Sequence, residues 1–269
     1  MDSRINQDEI KTLSLEDMAE PELTLVGKSI MGTREYQQDT YYICIGKTGC
    51  LAVICDGMGG LEHGEEASRI AVERIAGDFE NWSGEDATYA FLKKEALLMD
   101  QAVVKLADQN GNSSEMGTTT VSVIVQGDRV HWLSVGDSRI YISRDNEMAC
   151  VTRDHNFGLR LQELVKNGEI SEDELEEKVK QQEALISFLG MDGPELIDVN
   201  RNPFILQRGD RILLCSDGLY KCLPYETIKE IVQRVGDGTE DTVNRLLTAV
   251  EESTKKGKDN TTVILLEYR

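Results

Sequence analysis

The chain has 269 residues, 40% of them hydrophobic, with 29 Lys+Arg against 49 Asp+Glu and a formal net charge of −20. That field repels a nucleic-acid backbone and suits a protein that collects divalent cations, although a solvated acidic surface accounts for much of the same charge. No run approaches the ~20 apolar residues needed to span a bilayer, and the opening MDSRINQDEIKTLSLEDMAE lacks the basic and apolar regions of a signal peptide. A cytoplasmic protein is expected.

Residues 1–22 are polar and acidic and read as a mobile leader. Residues 23–269 contain no linker, repeat or low-complexity tract and read as one domain. β-Branched and aromatic composition predicts strands at 39–46 (DTYYICIG) and 50–55 (CLAVIC). Helical periodicity follows at 64–79 and 86–109. Strands return at 118–125 (TTTVSVIV), 129–135 (RVHWLSV) and 139–143 (RIYIS). The periodicity then predicts helices at 158–167 and 171–187, a strand at 211–215 (RILLC), helices at 224–235 and 239–255, and a last strand at 261–268. Long strand runs interrupted by paired helices argue for an α+β sandwich over a doubly wound parallel sheet. The six cysteines (44, 50, 55, 150, 215 and 222) have no CxxC spacing, and most lie in or beside apolar runs. They read as reduced thiols, not as zinc ligands.

Five aspartates fall at the ends of these strands. Asp39 opens DTYYICI, Asp56 follows LAVIC, Asp137 follows HWLSVG, Asp217 follows RILLCS, and Asp259 precedes NTTVILLEY. Gly57, Gly136 and Gly218 are expected to let the backbone turn sharply beside three of them. Any one of these aspartates alone reads as a turn cap. Five that can converge on one rim read as a carboxylate cluster, which repels itself unless a cation sits in it. Oxygen-only donors select hard ions, Mg²⁺ or Mn²⁺. The Gly-rich DGMGG is not a nucleotide loop, because Leu61-Glu62 stands where Lys-Ser/Thr would follow.

Seven motifs occur in order: Arg34 to Asp39 (RxxxxD), DGMGG at 56–60, GTTT at 117–120, VGDSRIY at 135–141, TRDHN at 152–156, SDGL at 216–219 and DNTT at 259–262. The set resembles the metal-dependent protein phosphatase family (type 2C, PPM), bacterial branch, across about residues 23–269. The resemblance implies two antiparallel β-sheets packed as a sandwich with helices on both outer faces (αββα). It implies hydrolysis of protein phosphoserine and phosphothreonine by a hydroxide that bridges two Mn²⁺ or Mg²⁺ ions, with phosphorylated proteins as partners, a Ser/Thr kinase in opposition, and no nucleic acid or membrane insertion. By the same resemblance Asp56 bridges both core ions and the Gly57 carbonyl binds one. Asp217 and Asp259 complete the other shell, and Asp39 contributes through a water. Asp137 holds a third, weaker ion together with Asp217. Arg34 grips the substrate phosphate, and Asn260 supports the site by hydrogen bonding.

The chain also departs from the family pattern. Met58 stands where eukaryotic members carry a histidine proposed to protonate the leaving group. Leu61 replaces a histidine usual after DGMGG, leaving His63 two residues on, and Gln37 replaces the usual Asn. His131 and His155 read as structural ahead of catalytic. Residues 157–190 are expected to form a flap over the site. Lys221, four residues after Asp217, falls where an acidic or polar residue is usual. Its ammonium is drawn to Asp137 and Asp217 against a third ion, or it points to solvent. Two other functions share the motifs: a phosphatase fold that binds without turnover, and a dedicated regulator of one phosphorylated antagonist.

Overall fold

The computed structural model describes residues 23–58, 63–84, 87–110, 116–169, 171 and 179–269; the expected leader at 1–22 lies outside them. Two sheets pack face to face. One contains, in spatial order, β1 (Leu23–Ile30), β12 (Thr261–Tyr268), β11 (Arg211–Cys215), β7 (Arg139–Arg144) and β8 (Glu147–Cys150). The other contains β10 (Phe204–Ile205), β6 (Arg129–Val135), β5 (Thr120–Gln126), β3 (Gly49–Met58) and β2 (Asp39–Gly46). Short strands β4 (Gly117–Thr118) and β9 (Asp198–Val199) pair with β3 and β6. Every pairing is antiparallel. Helices α1 (His63–Asn81) and α2 (Thr88–Asn110) cover the second sheet. Helices α4 (Asp217–Cys222), α5 (Tyr225–Val232) and α6 (Thr239–Glu252) cover the first, and α3 (Phe157–Lys166) opens the flap segment. The expected αββα sandwich is the observed one. Among the described residues no helix is long and apolar enough to cross a membrane.

The continuous apolar runs follow from burial on both faces of each sheet. Along β3, Leu51, Val53 and Cys55 pack beneath α1 and α2, while Cys50, Ala52 and Ile54 enter the core between the sheets. Along β11, Leu213 and Cys215 face the helices, and Ile212 and Leu214 face the other sheet. A strand buried on both sides loses the polar alternation of a half-exposed one.

Three sequence expectations change. β1, which composition does not mark, pairs with β12 along its full length, Leu23 with Tyr268 through Ile30 with Thr261. Its Thr24, Gly27, Lys28 and Ser29 dilute the apolar signal. The helix expected at 171–187 falls partly outside the described residues; within them, 179–187 hold only a 3₁₀ turn at Val179–Gln181. There the backbone hydrogen-bonds to other segments, Ile186 N–H to His155 O at 2.9 Å and Leu189 N–H to Thr118 O at 2.8 Å, and so closes no further helical turn. Third, Asp217 opens α4, where a turn was expected.

The antiparallel alternation of the strands places chemistry on one rim. β2 begins, β3 ends, β6 ends, β7 begins, β11 ends and β12 begins there.

Candidate active site

Asp39 and Asp56 are direct cross-strand partners at the rim end of β2 and β3. Asp39 is buried, and its Oδ2 accepts 2.7 Å hydrogen bonds from the hydroxyls of Thr262, in β12 of the opposite sheet, and Ser216, just after that sheet's β11. Because Thr262 Oγ1 donates to Asp39, it accepts from Ser29 Oγ at 2.7 Å, and Ser29 accepts from Gln37 Nε2 at 2.8 Å. Gln37 Oε1 closes the ring on the Asp39 N–H at 3.0 Å. A relay of donors thus runs from Gln37 to the Asp39 carboxylate, stitching the two sheets together beneath the site. Gln37, one methylene longer than the usual Asn, is the residue that reaches Ser29.

Asp56 lies inside β3, which runs on to Met58, so no sharp turn follows it. Thr119 N–H and Thr118 Oγ1 both donate to the Asp56 carbonyl at 2.9 Å, and Thr119 Oγ1 meets Ser138 Oγ at 2.8 Å. The GTTT run therefore fixes Asp56 and ties it to the turn that carries Asp137. Of the three glycines beside aspartates, only Gly136 has a left-handed backbone, at φ +104°. Gly57 and Gly218 serve close approach instead: a Cβ would sit 1.9 Å from Gly64 O and 2.1 Å from Asn260 O.

The remaining carboxylates meet cations. Asp259, just before β12, accepts from Arg34 NH2 at 2.6 Å. Arg34 projects from a loop held by Asn260, whose Oδ1 accepts from Gln38 N–H at 2.8 Å and whose Nδ2 donates to Met31 O and Tyr36 O at 2.9 and 3.0 Å. Asn260 thus supports the site by shaping the Arg34 loop. Asp217 accepts from Lys221 Nζ at 2.6 Å, one helical turn on. Asp137 is buried and accepts from the Tyr220 hydroxyl at 3.2 Å and from Lys221 at 3.4 Å.

The rim is electrostatically unsatisfied. Burial, then Asp217 and Asp259, push the Asp39 carboxyl up to about 7, although the hydroxyls of Thr262 and Ser216 work against this. Burial and the carboxylates of Asp39, Asp217, Asp137 and Asp259 hold Asp56 well above the usual carboxylate range. Asp137 is raised by burial and Asp217. The other four predicted aspartates are therefore all within electrostatic reach of Asp56. Among the described residues no three His, Cys, Asp or Glu side chains converge as they stand to hold an ion, and Asp217 and Asp259 are paired with Lys221 and Arg34. An all-oxygen set under mutual repulsion fits a hard divalent cation at Asp39, Asp56, Asp217 and Asp259.

Two of the histidines, His131 and His155, are engaged elsewhere. His155 is fully buried; its Nδ1 accepts the Gly136 N–H at 3.2 Å, so its proton resides on Nε2 and is donated to Asp198 at 3.0 Å. It holds the Gly136–Asp137 turn. His131 Nδ1 contacts Asn200 O at 3.0 Å near the start of β6, away from that turn at the strand's other end. Sequence reading missed Ser29, Ser216, Thr262 and Tyr220. Ser216 and Thr262 stand inside SDGL and DNTT, which is the one signal that pointed to them.

An αββα sandwich with an oxygen-donor rim between its sheets is the class that fold and site define. The family model for protein phosphatase 2C matches residues 26–252, and the chain belongs to that family. Serine/threonine phosphatase stp of Listeria welshimeri is 30% identical over 220 residues, 81% of this chain and 84% of that protein. Serine/threonine protein phosphatase PstP of Mycobacterium tuberculosis is 29% identical over 217 residues, 81% of this chain and 40% of that one. Among solved structures, an S. agalactiae serine/threonine phosphatase superposes with a TM-score of 0.80 at 26% identity, covering 92% of this chain and all of that one (100%). The PstP catalytic domain in complex with two manganese ions gives 0.73 at 28% identity, covering 91% and 98%.

Proposed function

We propose that this protein hydrolyses phosphoserine and phosphothreonine in other proteins, using two Mn²⁺ or Mg²⁺ ions held by Asp39, Asp56, Asp217, Asp259 and the Gly57 carbonyl. Ions bound there supply Lewis acidity and hydroxide near neutral pH. The observation that carries the reading is the placement of these carboxylates along one rim, near enough to hold Asp39 and Asp56 above the usual carboxylate range, with Arg34 at its edge. The family match supports it.

The chain's own groups have separable tasks. The relay from Gln37 through Ser29 and Thr262 keeps the Asp39 carboxylate oriented and favours its ionised form. Arg34, with over half of its side chain exposed, presents a planar fork that can leave Asp259 for phosphate oxygens. Met58 has no titratable proton, and His155 is committed to Asp198, so neither protonates the leaving oxygen. A groove of about 740 Å³ opens beside Asp137, between Arg139, Tyr220 and Lys221 on one side and Asn156, Leu159 and Gln182 of the flap segment on the other. Its openness suits the chain flanking a phosphorylated residue better than an enclosed small molecule. In this reading the protein works in the cytoplasm against a Ser/Thr kinase, with no nucleic-acid partner.

The test is turnover of p-nitrophenyl phosphate and of a panel of phosphoproteins with Mn²⁺, with Mg²⁺ and with chelator. Metal-dependent release of phosphate from phosphoserine protein supports the reading. Metal-dependent binding of phosphoproteins without release would instead make the chain a signalling module.

A further inference from the structure

Lys221 lies where the family resemblance places a third ion. Its Nζ is 2.6 Å from Asp217 Oδ2 and 3.4 Å from Asp137 Oδ2, the two carboxylates assigned to that ion. The arrangement is built, not incidental. Asp217 and Lys221 are one turn apart on α4, so the helix itself keeps them adjacent. The Lys221 carbonyl accepts from Lys255 Nζ, which ties down that end of the short helix. Tyr220 donates to both the backbone carbonyl and Oδ2 of Asp137, at 3.0 and 3.2 Å, and so holds this carboxylate facing the ammonium. The Arg139 guanidinium, paired with Asp154 at 2.9 and 2.6 Å, stacks 3.6 Å above the Tyr220 ring and fixes it in turn. Glu183 of the flap segment approaches Lys221 from the other side, at 4.0 Å.

We infer that Lys221 is a resident cation between Asp137 and Asp217, and that this protein binds two metal ions and not a third. The inference rests on the reading of the rim as a two-ion centre. An ammonium and a divalent ion cannot share the space between two carboxylates: they compete for the same oxygens and repel each other. A tethered ammonium is always present, whereas a weakly bound ion must be recruited from solution, which favours the lysine. It also links the helix after β11, the β6–β7 turn and the flap segment without any metal.

The experiment counts Mn²⁺ ions by calorimetry on the full chain, with electron paramagnetic resonance of free Mn²⁺ as a second count. Wild type is expected to bind two ions. Lys221→Met removes the charge and keeps the stem; Lys221→Asp adds a carboxylate. Both should gain a weaker third ion, tighter in the Asp variant, and Asp137→Ala in the Lys221→Asp background should abolish it. Thermal unfolding without metal checks that each variant is folded, and the two lysine variants reach the answer independently. Three ions in wild type, or two in both variants, overturns the inference. Failure of the underlying reading looks different: the wild-type ion count would survive Asp56→Asn unchanged.

Discussion

Replacing Thr262 by Val deletes one hydroxyl and nearly keeps the side-chain shape. Thr262 Oγ1 donates a 2.7 Å hydrogen bond to Asp39 Oδ2 and is itself buried. A hydrogen bond to a charged group contributes about 1.5–3 kcal/mol. At about 1.4 kcal/mol per decade, its loss raises the proton affinity of Asp39 roughly 10- to 150-fold. Burial already holds that carboxyl up at about 7 with the bond in place. Protonation of Asp39 and binding of a divalent ion, whether Asp39 meets it directly or through a water, oppose each other electrostatically, so Mn²⁺ affinity near neutral pH should fall by up to that factor. It should recover at alkaline pH, where Asp39 ionises again. Calorimetric Mn²⁺ titrations of wild type and Thr262→Val between about pH 6 and 9 read both effects. Ser216→Ala, which removes the other 2.7 Å donor, should shift the same way. If Thr262→Val binds Mn²⁺ with wild-type affinity at every pH, Asp39 is not part of the metal site.

Arg34→Ala should lower kcat/KM for phosphorylated substrates by about one to two decades, mostly through KM, since one charge-assisted contact is lost; an unchanged value places Arg34 outside the site. Asp56→Asn should lower kcat by orders of magnitude in steady-state assays while thermal unfolding shows an intact fold, and full turnover by metal-free Asp56→Asn protein would falsify the metal-centred mechanism. Away from the site, burial and then Asp78 push the Glu95 carboxyl on α2 from its ordinary 4.5 up to about 8. The folded form then holds a proton that the unfolded chain releases, so stability falls as pH rises from the lower value through the upper, by at most about 1.4 kcal/mol per pH unit. Urea unfolding across that range should show a flatter slope for Glu95→Gln, and equal slopes would rule out Glu95 as the source.

The sequence alone determined most of the buried strands, β1 excepted, and that five aspartates stand at or beside their rim ends, because both signals are local. An apolar run such as LAVIC must be buried wherever it goes, and an aspartate directly after it must lie where burial stops. The motif order carried the family for the same reason. The tertiary structure decided what those aspartates touch. Ser216 and Thr262, which cage Asp39, lie 177 and 223 residues from it, and no local pattern encodes a contact across two sheets. Gly57 and Gly218 look like turn residues in a string of letters, yet each is required because another backbone passes within 2.1 Å of where its Cβ would be. Lys221 had two futures on paper, solvent or the carboxylates. The short helix after β11, invisible to periodicity at six residues, turned it onto Asp217 and Asp137. Local chemistry sets which groups are available; the packing of distant segments sets which of them share charge.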